Sequence, residues 1–186
     1  MKDTFEKFSP LTVGFHWIIA IGMIAMLAFG LYIEDLPRGP DKFSLLDLHK
    51  SFGIVIFVLA TARIFWRIKN KFPKPLSEMP SWQEFSAKFA HWFLIIATVM
   101  MPISGVMMSA GGGHPISFFG LELIAAGDKN EIIGNIGHII HGLGSKVLIF
   151  FILLHSLGAI KHQYMDKDGT ISRMAGKRVK TNTENV

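Results

Sequence analysis

The chain has 186 residues and a formal net charge of +5, with half of its residues hydrophobic and only 18% charged. Its mean hydropathy of +0.39 is far from ordinary soluble usage and points to a chain that spends much of its length in a bilayer. The absence of cysteine excludes disulfides, cysteine-ligated zinc, iron–sulfur clusters and thiol catalysis. Any metal or cofactor has to be held by nitrogen, oxygen or thioether sulfur.

The amino-terminal MKDTFEKFSPLTVGFHW has neither the short apolar core nor the small-residue cleavage site of a signal peptide, and is expected to be retained. Hydrophobic runs at residues 12–33, 45–66, 87–109 and 137–160 each approach the roughly 20 residues needed to cross the hydrocarbon. A backbone in lipid has to satisfy its own hydrogen bonds, so these runs are predicted helices despite their glycines and β-branched residues. The expected fold class is an all-α membrane protein, a four-transmembrane-helix bundle forming one domain over residues 1–186.

The connection NKFPKPLSEMPSWQEF, with its three prolines, reads as an extended loop. The connection GGGHPISFFGLELIAAGDKNEIIG opens on glycines that end the third helix, and ISFFGLELI within it is predicted to form a short amphipathic helix at the interface. Residues 161–186 form a polar, basic tail whose charges are expected to set topology and meet lipid headgroups, not nucleic acid. Lys2 and Lys7, then Arg67, Lys69, Lys71, Lys74 and Lys88, then Lys161, Lys167, Arg173, Lys177, Arg178 and Lys180 make up thirteen of the nineteen basic residues. All thirteen fall on one side of a four-span topology, so both termini are expected in the cytoplasm.

Ionisable side chains inside spans are costly and are candidates for function. His16 lies about one turn into the first span from the inner side, and His49 lies at the outer end of the second. On the fourth span His141 is outer and His155 inner; their spacing is about 21 Å along a helix and about 40° around it, which is one face. Depth and face together pair His16 with His155 and His49 with His141. Two histidines per level, with only Asp47 nearby, provide poorly for four-ligand zinc. They suffice for the two axial positions of a haem iron, since a porphyrin brings the other four donors itself. Gly14, Gly53, Gly142, Gly144 and Gly158 lie within four residues of these histidines and would let a flat macrocycle approach, although small residues also serve helix packing.

The remaining polar residues are read against simpler roles. His162 extends the His155 face to the boundary, where it is either an interfacial side chain or a contact to quinone or propionate. His91 near the inner end of the third helix is a candidate quinone contact or a neighbour of the ligands. Arg63 either snorkels or pairs with a propionate, and Lys146 reaches a propionate of the outer haem or marks a charged path. His138 is about 100° off the His155 face, so His141 is preferred as ligand, and His114 is an ordinary loop histidine.

Taken together, HW at His16, LDLHKSFG around His49, LATARIFWRIK, HWFLIIATVMMPISGVMM, and His141 followed fourteen residues later by HSLGAIKHQY resemble the bacterial cytochrome b561 family over nearly the whole chain. The resemblance implies a multi-pass protein of the bacterial inner membrane with two haem b groups, axial ligands at His16, His49, His141 and His155, and electron exchange with ubiquinone or another quinone. It further implies that superoxide is a candidate electron donor at the outer face. The function expected is transmembrane electron transfer. The competing expectations are a haem-bearing anchor subunit serving a soluble dehydrogenase or hydrogenase partner, and a His-lined metal or proton transporter without haem.

Overall fold

The computed structural model describes residues 2–70 and 75–179; Lys71, Lys74 and Lys180, three of the basic residues used for orientation, lie outside the described residues. Four helices are each long and apolar enough to cross a membrane: α1 (Pro10–Asp35), α2 (Pro40–Asn70), α3 (Ser81–Gly111) and α4 (Glu131–Tyr164). The chain is a multi-pass membrane protein. Each helix overruns its hydrophobic run at both ends, and at the amino ends of α1 and α4 capping chemistry sets the limit, not hydropathy. Ser9 accepts from the Thr12 N–H ahead of Pro10, and Asn130 accepts from the Ile133 N–H with Glu131 in the first turn. Arg67 and Lys69 sit at the carboxyl end of α2, where the helix dipole favours cations.

The tightest pair is α3 with α4. Gly111 abuts the backbone of Gly134, and Gly137 abuts the backbone of Met107 and Met108, so closely that a Cβ at Gly111 or Gly137 would overlap it. Without a hydrophobic drive between helices in lipid, such close approach is what associates them. Helix α1 packs on α2 and α2 on α3, whereas α1 and α4 scarcely touch. Ile19, Met23, Ile56, Met101 and Leu148 form a buried layer at mid-depth, while Ile21, Phe65, Phe89 and Leu157 point outward as a lipid-facing surface requires.

The segment expected to be an amphipathic helix is instead a hairpin, β1 (Ile116–Phe118) paired antiparallel with β2 (Leu121–Ile124). Phe119 and Gly120 both have positive φ, 48° and 90°, which is the two-residue turn that matches strand twist and calls for glycine. The run is too short for a helix to compete. Ser51 on α2 clips the hairpin down: its hydroxyl receives the Phe119 N–H at 3.0 Å and lies 3.3 Å from the Ser117 carbonyl.

The carboxyl-terminal segment is not simply a solvated tail. A short helix α5 (Thr170–Met174) packs back against the amino-terminal residues: Trp17 Nε1 donates to the Met174 carbonyl at 2.9 Å, and Val179 N–H donates to Glu6 at 3.0 Å. Arg173, expected among the headgroup contacts, is buried; it donates to the Phe5 carbonyl at 2.9 Å and lies over the Phe8 ring. Both described ends therefore close the same end of the bundle. Asp3 anchors this cap by accepting from the Ser9 N–H and the Thr12 hydroxyl, each at 2.9 Å, beside Arg67 at 3.6 Å. Thr12 in turn receives Trp66 Nε1 at 2.8 Å.

Two outcomes follow from this packing. Gly137→Ala is expected to cost about 1–3 kcal/mol, because the added carbon meets backbone that cannot move aside, and to lower the thermal midpoint in detergent. Burial pushes the Asp3 carboxyl up, but its donors from Ser9 and Thr12 and the charge of Arg67 outweigh that and hold it below the ordinary carboxylate range. Its anchoring is thus complete above the unfolded value of about 3.9 and is lost as pH falls through the lower folded value. Proteolytic release of the amino-terminal segment should therefore stay slow down to that range, and should be fast at neutral pH in Asp3→Ala.

Candidate functional site

On α4, His141, Leu148 and His155 recur every seven residues, two turns apart on one stripe. At the level expected to face the cytoplasm, called inner, that stripe meets α1: the rings of His155 and His16 lie with centroids 6.2 Å apart. At the outer level it meets α2, with the rings of His141 and His49 also 6.2 Å apart. Leu148, only 1% exposed, belongs to the apolar layer between the two levels.

The outer pair is built unequally. His141 Nδ1 lies 3.0 Å from the Met101 carbonyl and 3.1 Å from Ser104 Oγ. A carbonyl can only accept, so Nδ1 carries the proton and Nε2 is left unprotonated, with a lone pair able to bind a metal. His49 Nδ1 is buried and has no hydrogen-bond partner among the described residues. Beside the pair is a cavity of about 760 Å³, lined mostly by apolar residues of α2 and α3 such as Gly53, Phe57, Ile103 and Val106 together with His49 and His141. This volume falls within the range of cofactor pockets. Lys50, His114 and Ile116 also line it, and Lys50 is held by the Pro115 carbonyl at 3.0 Å and by Asp47 at 3.4 Å.

At the inner level His91 of α3 joins the group, its ring 5.1 Å from that of His155. Arg63 Nη2 lies 3.4 Å from His16 Nδ1, at the long end of hydrogen-bond range. His162 is taken up by the terminal cap: its Nδ1 is 3.0 Å from Asp166 and 3.1 Å from Asp168. Lys146 is exposed about 140° around α4 from His141. It does not line the outer cavity, so its side chain faces away from the outer pair. His138 is exposed as well.

Of the glycines singled out by proximity in sequence, Gly14, Gly53, Gly142 and Gly158 face open space and Gly144 faces the Met101 sulfur. The glycines that seat the imidazoles were missed. A Cβ on Gly30 of α1 would come within 3.3 Å of His49, and one on Gly105 of α3 within 3.2 Å of His141. Each lies on a different helix from the ring it accommodates, so spacing along the chain carries no signal of it. The only local hint is PISG, a small-residue pair just after Pro102.

Among the described residues no three ligand-type side chains converge on one point. Each level offers two imidazoles facing across a gap that accommodates two metal–nitrogen bonds of about 2.0 Å. This donor set suits a cofactor that supplies its own equatorial ligands.

Helices that cross a bilayer, with paired histidines at two depths of one bundle, are the framework of a membrane electron-transfer protein. The sequence agrees: residues 7–177 match the family model of prokaryotic cytochrome b561, and the chain belongs to that family. It is 30% identical over 181 residues to cytochrome b561 homolog 2 of Escherichia coli (strain K12), covering 94% of each chain. It is 28% identical over 178 residues to cytochrome b561 homolog 1 of the same organism, covering 93% of this chain and 99% of the other. It is also 29% identical over 174 residues to a probable superoxide oxidase, CybB, of Yersinia pestis, covering 93% and 98%. An oxidoreductase-type, electron-transferring role follows at the level of the family.

Gly105→Val would press a branched side chain against the His141 ring. It is expected to cost about 1–3 kcal/mol, because the ring and the added carbons compete for the same space, and to lower the thermal midpoint in detergent.

Proposed function

We propose that the chain binds two b-type haems, one between His16 and His155 and one between His49 and His141, and carries electrons across the bacterial inner membrane between an outer donor and quinone. The observation that supports it most directly is the two facing imidazole pairs, each at 6.2 Å, on either side of a buried apolar layer. A haem with two histidine ligands supplies one-electron chemistry without an open coordination position.

The chain's own residues divide the remaining work. His141 is ready to offer Nε2, because the Met101 carbonyl takes its Nδ1 proton in a hydrogen bond. His16 is not, because a guanidinium only donates and Arg63 therefore treats Nδ1 as an acceptor. Ligation through His16 Nε2 requires the proton on Nδ1 and Arg63 turned away, and a propionate gives Arg63 an anion to pair with. The apolar layer keeps water out between the levels. The basic residues gathered at the His16 end support a cytoplasmic His16 level by the positive-inside rule. Quinone exchanges electrons there, near His91 and Arg63, with His162 at the edge.

Superoxide is the outer donor that similarity to the probable superoxide oxidase brings forward. Lys50 and His114 at the outer cavity are the groups able to meet an anion there. The purified protein is expected to show a reduced b-type α-band with two haems per chain, His141→Ala losing one and His155→Ala the other. Retention of both haems in the double variant would refute the ligand set. Stopped-flow mixing with superoxide should reduce the haems and, with quinone present, turn over continuously; reduction only in the presence of a co-purified protein would point to an anchor subunit instead.

A further inference from the structure

We infer that Ser104 is a positioning residue for the outer pair, adding a second acceptor to the His141 Nδ1–H that the Met101 carbonyl defines and holding the ring so that His141 is the tethered ligand and His49 the untethered one. This rests on the proposed outer haem between those two histidines.

Ser104 is fully buried, at 0% exposure, in the middle of an apolar span. A hydroxyl there has to be bonded, and it donates back to the Met101 carbonyl at 2.8 Å. That bond fixes the hydroxyl rotor and turns an oxygen lone pair to His141 Nδ1, 3.1 Å away. The imidazole N–H is thus shared between two acceptors, the Met101 carbonyl and Ser104 Oγ, that belong to one turn of α3. The next residue, Gly105, leaves room for the ring at 3.2 Å, so one short stretch both orients His141 and seats it.

Among the described residues no comparable tether exists on the other side, where His49 Nδ1 is buried without a hydrogen-bond partner. Partners on the far nitrogen of a ligating histidine set its orientation and raise its basicity, and their removal typically costs about 10–100-fold in metal affinity. Ser104 is one such partner of His141, whereas His49 Nδ1 has none among the described residues, so its loss would not be offset from the His49 side.

The test uses the haem-loaded protein. In Ser104→Ala, transfer of the outer haem to apomyoglobin is expected to be about tenfold faster, with the inner haem unchanged. One midpoint potential should rise, by about 59 mV if the tenfold loss falls on the ferric state alone. Ser104→Thr, which keeps the hydroxyl, should restore both. In the unchanged protein, reduced and diamagnetic, the imidazole N–H of His141 should exchange with solvent much more slowly than that of His49. Equal exchange rates would overturn the inference even if Ser104→Ala fails to fold. Loss of one haem in His141→Ala together with no change of rate or potential in Ser104→Ala would overturn the inference and leave the proposed function standing. Retention of both haems in His141→Ala would overturn the ligand assignment itself.

Discussion

An imidazole inside a bilayer needs a polar partner or a metal, and lipid offers neither. Much of the interior of this bundle answers to that constraint. His16, His49, His141 and His155 face one another in pairs, the Met101 carbonyl and Ser104 hydroxyl meet one of them, Arg63 meets another, and the space between the levels is filled with Ile19, Met23, Ile56, Met101 and Leu148. Lys146 stands apart on the exposed side of α4.

Geometry at the outer level depends on how closely α3 and α4 approach. Gly111, Gly134 and Gly137 let the two backbones touch near their outer ends, and that contact brings His141 onto α3, where Ser104 and Gly105 receive it. Helix α1 is held differently. It leans on α2 and is tied at its inner end through Asp3, Thr12, Trp66 and the folded carboxyl-terminal segment, while scarcely touching α4. The His16–His155 pair spans that loosely packed side, which agrees with a cofactor lying between the helices.

Much of this was legible in the chain. The four spans follow from hydropathy alone, because length and apolarity are enough to specify a helix in lipid. The facing of His16 with His155 and of His49 with His141 follows from depth and helical phase, since a straight helix converts residue number directly into height and angle. What misled were short segments without that periodicity. ISFFGLELI looked amphipathic, but Phe119 and Gly120 at positive φ make it a hairpin. Arg173 reads as a headgroup contact, but it is buried over the Phe8 ring.

By itself, then, the sequence determined the membrane class, the number of spans and the heights of the histidines, all properties of one helix at a time. Only the tertiary structure decided which small residues seat the rings, which nitrogen of His141 carries the proton, that Lys146 faces away from the outer pair, and that the two ends of the chain close over the same end of the bundle. Those depend on atoms brought together from different helices. Gly30 lies beside His49 and Ser104 beside His141 through packing alone, and no spacing along the chain encodes it.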